Sequence, residues 1–223
     1  MTEFFDFKDG NGLVPAHRHI NGGGWVAESV TVEKSAFIDI NARVSGEARV
    51  SGEARVYGDA RVSGNARVSG EARVYGNAWV YGDARVSGNA HVSGEARVYG
   101  NAWVYGEARV YGDARVSGNA HVSGEARVYG NAWVYGEARV YGEARVYGNA
   151  QVYGYAHVEK SPINIIGIEY NITIYTDLAQ VGCKLYSIEK WKKFTADEVA
   201  EMDGEKAINF FPKLLAIFSA LGL

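Results

Sequence analysis

Every sixth residue from Val26 to Val158 is aliphatic, in an unbroken run of 23 hexads that departs from valine only at Ile38. An alanine stands two positions before most of these valines, as in Ala48/Val50 and Ala54/Val56. From Val44 onward nearly every unit reads Val-(Ser/Tyr)-Gly-(Asn/Asp/Glu)-Ala-(Arg/Trp/His). Residues two apart on a strand point the same way, so Ala and Val face inward together. The residue between them, and the Ser or Tyr after Val, face out. Gly with its Asn, Asp or Glu neighbour marks a corner, because glycine accepts the positive φ of a sharp bend and Asn or Asp tolerates it. A short fixed period of this kind predicts a solenoid, whose repeats bury their apolar face only by stacking on one another. Three flat sides make an 18-residue coil. The hexads then give seven to eight coils, a rod of roughly 35 Å at a strand spacing of ~4.8 Å. Its core is a column of small side chains with no space for an internal ligand.

The pattern leaves two flanks. Residues 1–25 form a lead-in, in which Phe4, Phe5 and Phe7 suggest one short strand and Gly10, Gly12 and Gly22-Gly23-Gly24 mark loops. This segment is expected to cover the first coil of the 26–159 solenoid. Residues 160–223 read as a small α+β cap. Short strands are predicted at Ile163–Ile168, Asn171–Thr176 and Gln180–Ser187, the first two joined by a tight turn. Thr195 and Glu198 form a capping-box signature for a helix over Ala196–Met202. Asp203-Gly204 ends it, and a second helix runs from about Glu205 to Leu221, kinked or reset by Pro212. Phe210, Phe211, Leu214, Leu215 and Phe218 are expected to pack on the last coil or to serve as an oligomer interface.

Charge and composition narrow the classes. The net charge of −3 is mixed rather than blocked, which speaks against a nucleic-acid partner. Cys183 is the single cysteine, so no intramolecular disulfide can form; it is read as a buried core thiol. The acidic opening of the chain lacks a secretion signal, and the apolar stretch Ile208–Leu223 is too short to span a bilayer. His17 and His19 could supply two metal ligands from the lead-in but lack a third at a known spacing, so no metal is expected.

The Val-x-Gly-x-Ala-x unit resembles the bacterial transferase hexapeptide repeat, the left-handed parallel β-helix of trimeric acyltransferases. Val44, Ala48, Val50, Ala54 and their successors match its aliphatic and small-residue sites. The resemblance implies left-handed coiling, where backbone physics alone favours right-handed crossovers. It also implies a homotrimer and an acyl-CoA-dependent acyltransferase that takes acetyl-CoA and uses a histidine base near a subunit interface. The flanks, His19-Ile20-Asn21-Gly22-Gly23-Gly24-Trp25-Val26-Ala27 and the tail carrying Val181-Gly182-Cys183, Ile188-Glu189-Lys190-Trp191 and Met202-Asp203-Gly204, resemble hypothetical proteins of phages and prophages. They imply a virion-associated protein or one of the host cytoplasm.

The outward positions hold the candidate chemistry. His91, His121 and His157 occupy slots filled elsewhere by Arg or Trp; His91 and His121 are the candidate bases of the acyltransferase reading. The hexads contain no insertion, so the loop that would cover an acyl-CoA is missing. Residues 18 apart share a side. One side carries Arg55/Tyr57, Arg73/Tyr75, His91/Ser93, Arg109/Tyr111, Arg127/Tyr129 and Arg145/Tyr147, a flat array suited to sugars, polyanions or a protein partner. A second side carries Trp79 and Trp133, the third Trp103, as candidate interface residues. Arg43–Val158 contains 13 Arg, 11 Asp plus Glu and no Lys, which predicts a mutually neutralised, charge-laced shell. Residues 95–124 and 125–154 are near copies. A 30-residue period is not a multiple of 18, so duplication preserved the hexad and not the side on which each outward residue falls. The preferred reading is a non-enzymatic structural or protein-interaction scaffold, binding a protein or copies of itself. Acyl transfer, and carbohydrate or polyanion binding on the Arg/Tyr side, are the alternatives.

Overall fold

The computed structural model describes residues 3–223 and divides into two units, Met1–Ser161 and Pro162–Leu223. In the first, β1 (Glu3–Asp6) and β2 (Leu13–Arg18) form an antiparallel hairpin. Then come 23 short strands, from β3 (Trp25–Ala27) to β25 (His157–Val158), one per hexad. Successive strands go to successive sides, so each pairs in parallel with the strand 18 residues away, Val on Val: Val92 lies between Val74 and Val110. The first side starts at Trp25–Ala27, the second at Thr31–Val32 and the third at Phe37–Ile38. The result is a solenoid of about seven turns with three parallel sheets.

From Ala36 to Val158, every inward Ala and Val except Ala150 at 4% is wholly inaccessible to solvent. Burying a valine contributes on the order of 1.5 kcal/mol, and the column repeats that gain coil after coil. The backbone adds a ladder of its own. In one hexad, Glu107 N donates to Gly124 O, Arg109 N to Ala126 O and Tyr111 N to Val128 O, at 2.9, 2.9 and 3.0 Å. The corner is therefore bonded as well as the flat side. The corner glycine in turn has two reasons to be glycine. Gly94 has φ +68°, and a Cβ there would lie 2.9 Å from Gly112 N of the next coil.

The lead-in is a hairpin rather than the single strand expected around Phe4 and Phe5. Pro15 disguises β2, since proline cannot supply an N–H to a sheet interior. β2 pairs antiparallel with β3 and so extends the first side. Phe7, Ala16 and Ala27 close a small core beneath it.

In the second unit, β26 (Ile163–Ile165), β27 (Ile172–Ile174), β28 (Leu178–Val181) and β29 (Lys184–Ser187) form one antiparallel sheet. The strand expected over Gln180–Ser187 is thus split, turning at Gly182 (φ +58°) and Cys183. The β26–β27 connection is a loop over 166–171, not a tight turn. α1 (Ile188–Lys193), absent from the expected elements, is started by the Ser187 hydroxyl, which accepts from Lys190 N. α2 (Ala196–Ala220) opens with the Thr195/Glu198 capping box and leaves helical geometry at Asp203 and Gly204, as the sequence predicts. Pro212 produces no second break; its helix is held by packing rather than by propensity. Phe210, Leu214 and Phe218 are buried against Ile172, Ile174, Ala179 and Trp191, with Phe211 and Leu215 packed at the margin. The apolar face assigned to the last coil is occupied by its own unit's sheet. No helix of the described residues is long and apolar enough to cross a membrane.

Candidate binding face of the solenoid

The third side brings Arg55, Arg73, His91, Arg109, Arg127 and Arg145 into one column, each in register with the next. The residues that follow the valines form a second column beside it. Tyr57 and Tyr75 stack at 4.9 Å and 1° between ring planes, and Tyr111 and Tyr129 repeat that geometry. Tyr147 continues the second stack, 5.4 Å from Tyr129. Parallel strands a coil apart impose this spacing, and each stacked pair contributes ~0.5–1.5 kcal/mol beyond its buried area. The stack is interrupted once, at Ser93, a buried serine between the rings of Tyr75 and Tyr111. Burial in the stack raises the Tyr57 pKa, and the neighbouring Tyr75 raises it further.

The arginines are not laced to the acidic residues. Among the described residues the ion pairs are Lys8–Asp6, His17–Glu28, Lys192–Glu189 and Lys213–Glu169, and none involves an arginine of the coils. The expected neutral lattice fails for a geometric reason. Asp and Glu occupy the bends, where the chain turns away, while the guanidinium groups lie over the flat sides. Overall charge is balanced, but locally each side displays a cationic column between acidic corners.

The tryptophans sit differently. Trp79 and Trp133, on the first side, are half-buried and donate through Nε1 to Ser63 Oγ and Ser117 Oγ at 3.1 and 3.3 Å. Trp103, on the second side, is 38% exposed, stacks on His121 at 5.3 Å and lies under the Arg85 guanidinium at 4.7 Å. The two candidate bases are therefore on different sides. His91 stands between Arg73 and Arg109, and burial followed by those two charges lowers its pKa from 6.5. Burial, then Arg139, lowers that of His121. Both are neutral imidazoles at neutral pH, and among the described residues neither ring has a carboxylate or hydroxyl within hydrogen-bonding distance to orient it.

The lead-in histidines are kept apart. His17 Nδ1 bonds Glu28 Oε1 at 2.9 Å, whereas His19 is buried, its Nε2 on Ala36 O at 3.0 Å. Among the described residues no three His, Cys, Asp or Glu side chains converge as a metal site. Cys183 is exposed in its turn rather than buried in a strand, because the chain reverses there. Sequence reasoning also missed a cavity of about 240 Å³ in the second unit, built by residues far apart in the chain.

Several hexad windows match the family model described as YdcK Beta solenoid repeat: residues 54–70, 60–76, 66–82, 78–94, 108–124, 120–136, 126–142, 138–154 and 144–159. The repeats are thus similar to that β-solenoid type. No curated protein matches the chain. Among solved structures, a UDP-N-acetylglucosamine acyltransferase from Campylobacter jejuni aligns with a TM-score of 0.39 at 13% identity, covering 79% of this chain and 81% of that one.

Proposed function

We propose that the chain is a non-enzymatic interaction scaffold, whose third side docks an acidic surface of a partner protein. The observation that carries this reading is the guanidinium column running beside stacked tyrosines, with no carboxylate among the described residues in an ion pair with it. A partner's carboxylates would form the ion pairs that the described residues do not make with these arginines. The tyrosine rows supply flat area at little cost in side-chain entropy, which is why Tyr and Arg are favoured at interfaces. The 30-residue duplication fits a scaffold: it lengthens the rod and keeps the core, without preserving single outward residues. Phage association, a place in a virion or the host cytoplasm, and self-association as a trimer belong to this proposal as its biological setting.

The test is calorimetric titration with a poly-glutamate peptide as surrogate for the acidic surface, alongside acetyl-CoA, with oligomeric state read by sedimentation in the same sample. The peptide is expected to bind, to weaken with salt, and to be lost in the double variant Arg109→Ala/Tyr111→Ala. Unchanged binding in that variant would remove the face from the proposal. Micromolar binding of acetyl-CoA that depends on His91 or His121 would replace the scaffold with an acyltransferase.

A further inference from the structure

The cavity in the second unit arises where two elements fail to fill the space between them. The sheet and α2 close on each other through Phe210, Leu214 and Phe218. Toward one end, α2 breaks at Asp203-Gly204 and the β28–β29 hairpin turns at Gly182, and the cavity lies beside these two bends. Its lining includes the small Ala207 and Val199, the thioether of Met202 and the aromatic Trp191 and Phe210. The resulting volume is about 240 Å³.

Its chemistry is specific. Trp191 Nε1 donates to Ala179 O at 2.7 Å, and among the described residues no buried side-chain polar atom lacks a partner. The lining is mostly apolar and aromatic. At the rim the Tyr170 hydroxyl donates to Asp203 Oδ2. Burial, followed by that carboxylate, pushes the Tyr170 pKa up to about 12, so it remains a donor. The charges beside it are of mixed sign, Lys184 and Asp203 in the lining and the Lys206 ammonium 4.7 Å over the Tyr170 ring, while the mostly apolar walls disfavour burying a charge. Asp203 accepts one hydrogen from Tyr170, and a carboxylate has capacity for more.

We infer that this cavity is a binding site for a small, uncharged bicyclic aromatic molecule carrying one N–H or O–H donor, the rings against the apolar and aromatic lining and the donor on Asp203. An apolar cavity of ~150 Å³ already accepts benzene, so this one is of the size for a fused pair of rings. Indole is the simplest probe of the class, and benzothiophene is its counterpart without the donor.

The chain has two methionines, Met1 and Met202, and Met202 lines the cavity. Full-length protein labelled at the methionine methyls therefore reports the site through the Met202 signal. Indole is expected to shift the Met202 methyl saturably, with half-saturation below about 1 mM. Benzothiophene is expected to bind several-fold more weakly. Ala207→Leu, which projects into the cavity, is expected to abolish the shift while the protein keeps its fold. No saturable Met202 shift in the wild-type protein would overturn the site, and this arm needs no variant. Unchanged indole binding in a folded Ala207→Leu protein would overturn its location, and equal affinity for the two probes would overturn the role of Asp203.

Discussion

Substituting one corner glycine separates two penalties that the repeat otherwise hides. Gly94 and Gly148 have nearly the same backbone, φ +68° and +65°. They differ in what lies ahead of them. A Cβ at Gly94 would stand 2.9 Å from Gly112 N, 3.0 Å from its O and 3.2 Å from its Cα, whereas nothing lies within 4 Å of one at Gly148. Alanine at either site takes the left-handed strain, about 1–2 kcal/mol. At Gly94 it must also push two backbones apart across the Glu95 N–Gly112 O hydrogen bond, an overpacking cost of about 1–3 kcal/mol. Gly94→Ala should therefore destabilise by about 2–5 kcal/mol and Gly148→Ala by about 1–2. Asparagine tolerates this backbone better than alanine but carries the same Cβ. Gly148→Asn should be close to neutral, and Gly94→Asn should keep the steric loss. Urea denaturation gives the global losses, and hydrogen exchange at the Glu95 amide reports the local opening. Similar losses for asparagine at the two sites would refute the view that the corner glycines are held by close stacking of coils.

Two further outcomes follow from the third side. Ser93→Tyr would place a ring between Tyr75 and Tyr111 and join the two stacks; a gain of about 1–2 kcal/mol is expected from two new aromatic pairs, and a lower denaturation midpoint would show that the stack cannot continue through that coil. The His91 pKa lies below its ordinary value of 6.5, so the unfolded chain binds its proton more readily than the folded one. Its protonation therefore leaves stability untouched above about pH 6.5 and lowers it as pH falls below that value. His91→Gln should remove part of the loss in melting temperature between neutral and mildly acid pH, and an unchanged pH profile would count against the electrostatic pressure from Arg73 and Arg109.

How much was legible depended on how local the cause was. The period of six, with Ala and Val on one face, is enough to require a stacked solenoid, since no single hexad can bury its own valine. Counting by 18 places Arg55 through Arg145 on one side and separates Trp103 from Trp79 and Trp133, because a uniform repeat turns chain distance directly into position. The Thr195/Glu198 box and the Asp203-Gly204 break were legible for the same reason: the determinants sit within a few residues.

Where the cause is contact across space, the sequence was silent or misleading. Thirteen arginines against eleven acids suggest a neutral lattice, yet corner and flat side diverge and the charges stay unpaired. Cys183, in a β-rich run, reads as a core thiol until Gly182 is seen to turn the hairpin. Phe210, Leu214 and Phe218 read as a face for the last coil or an oligomer interface until the sheet of their own unit is known. Sequence by itself determined the repeat, its inward columns and the side on which each outward residue falls, because stacking identical coils leaves little other choice. Only tertiary structure decided the near-parallel stacking of the tyrosine rings, the guanidinium columns without ion-pair partners among the described residues and the cavity beside Met202. Each depends on which side chains, distant in the chain, reach one another, and on which do not.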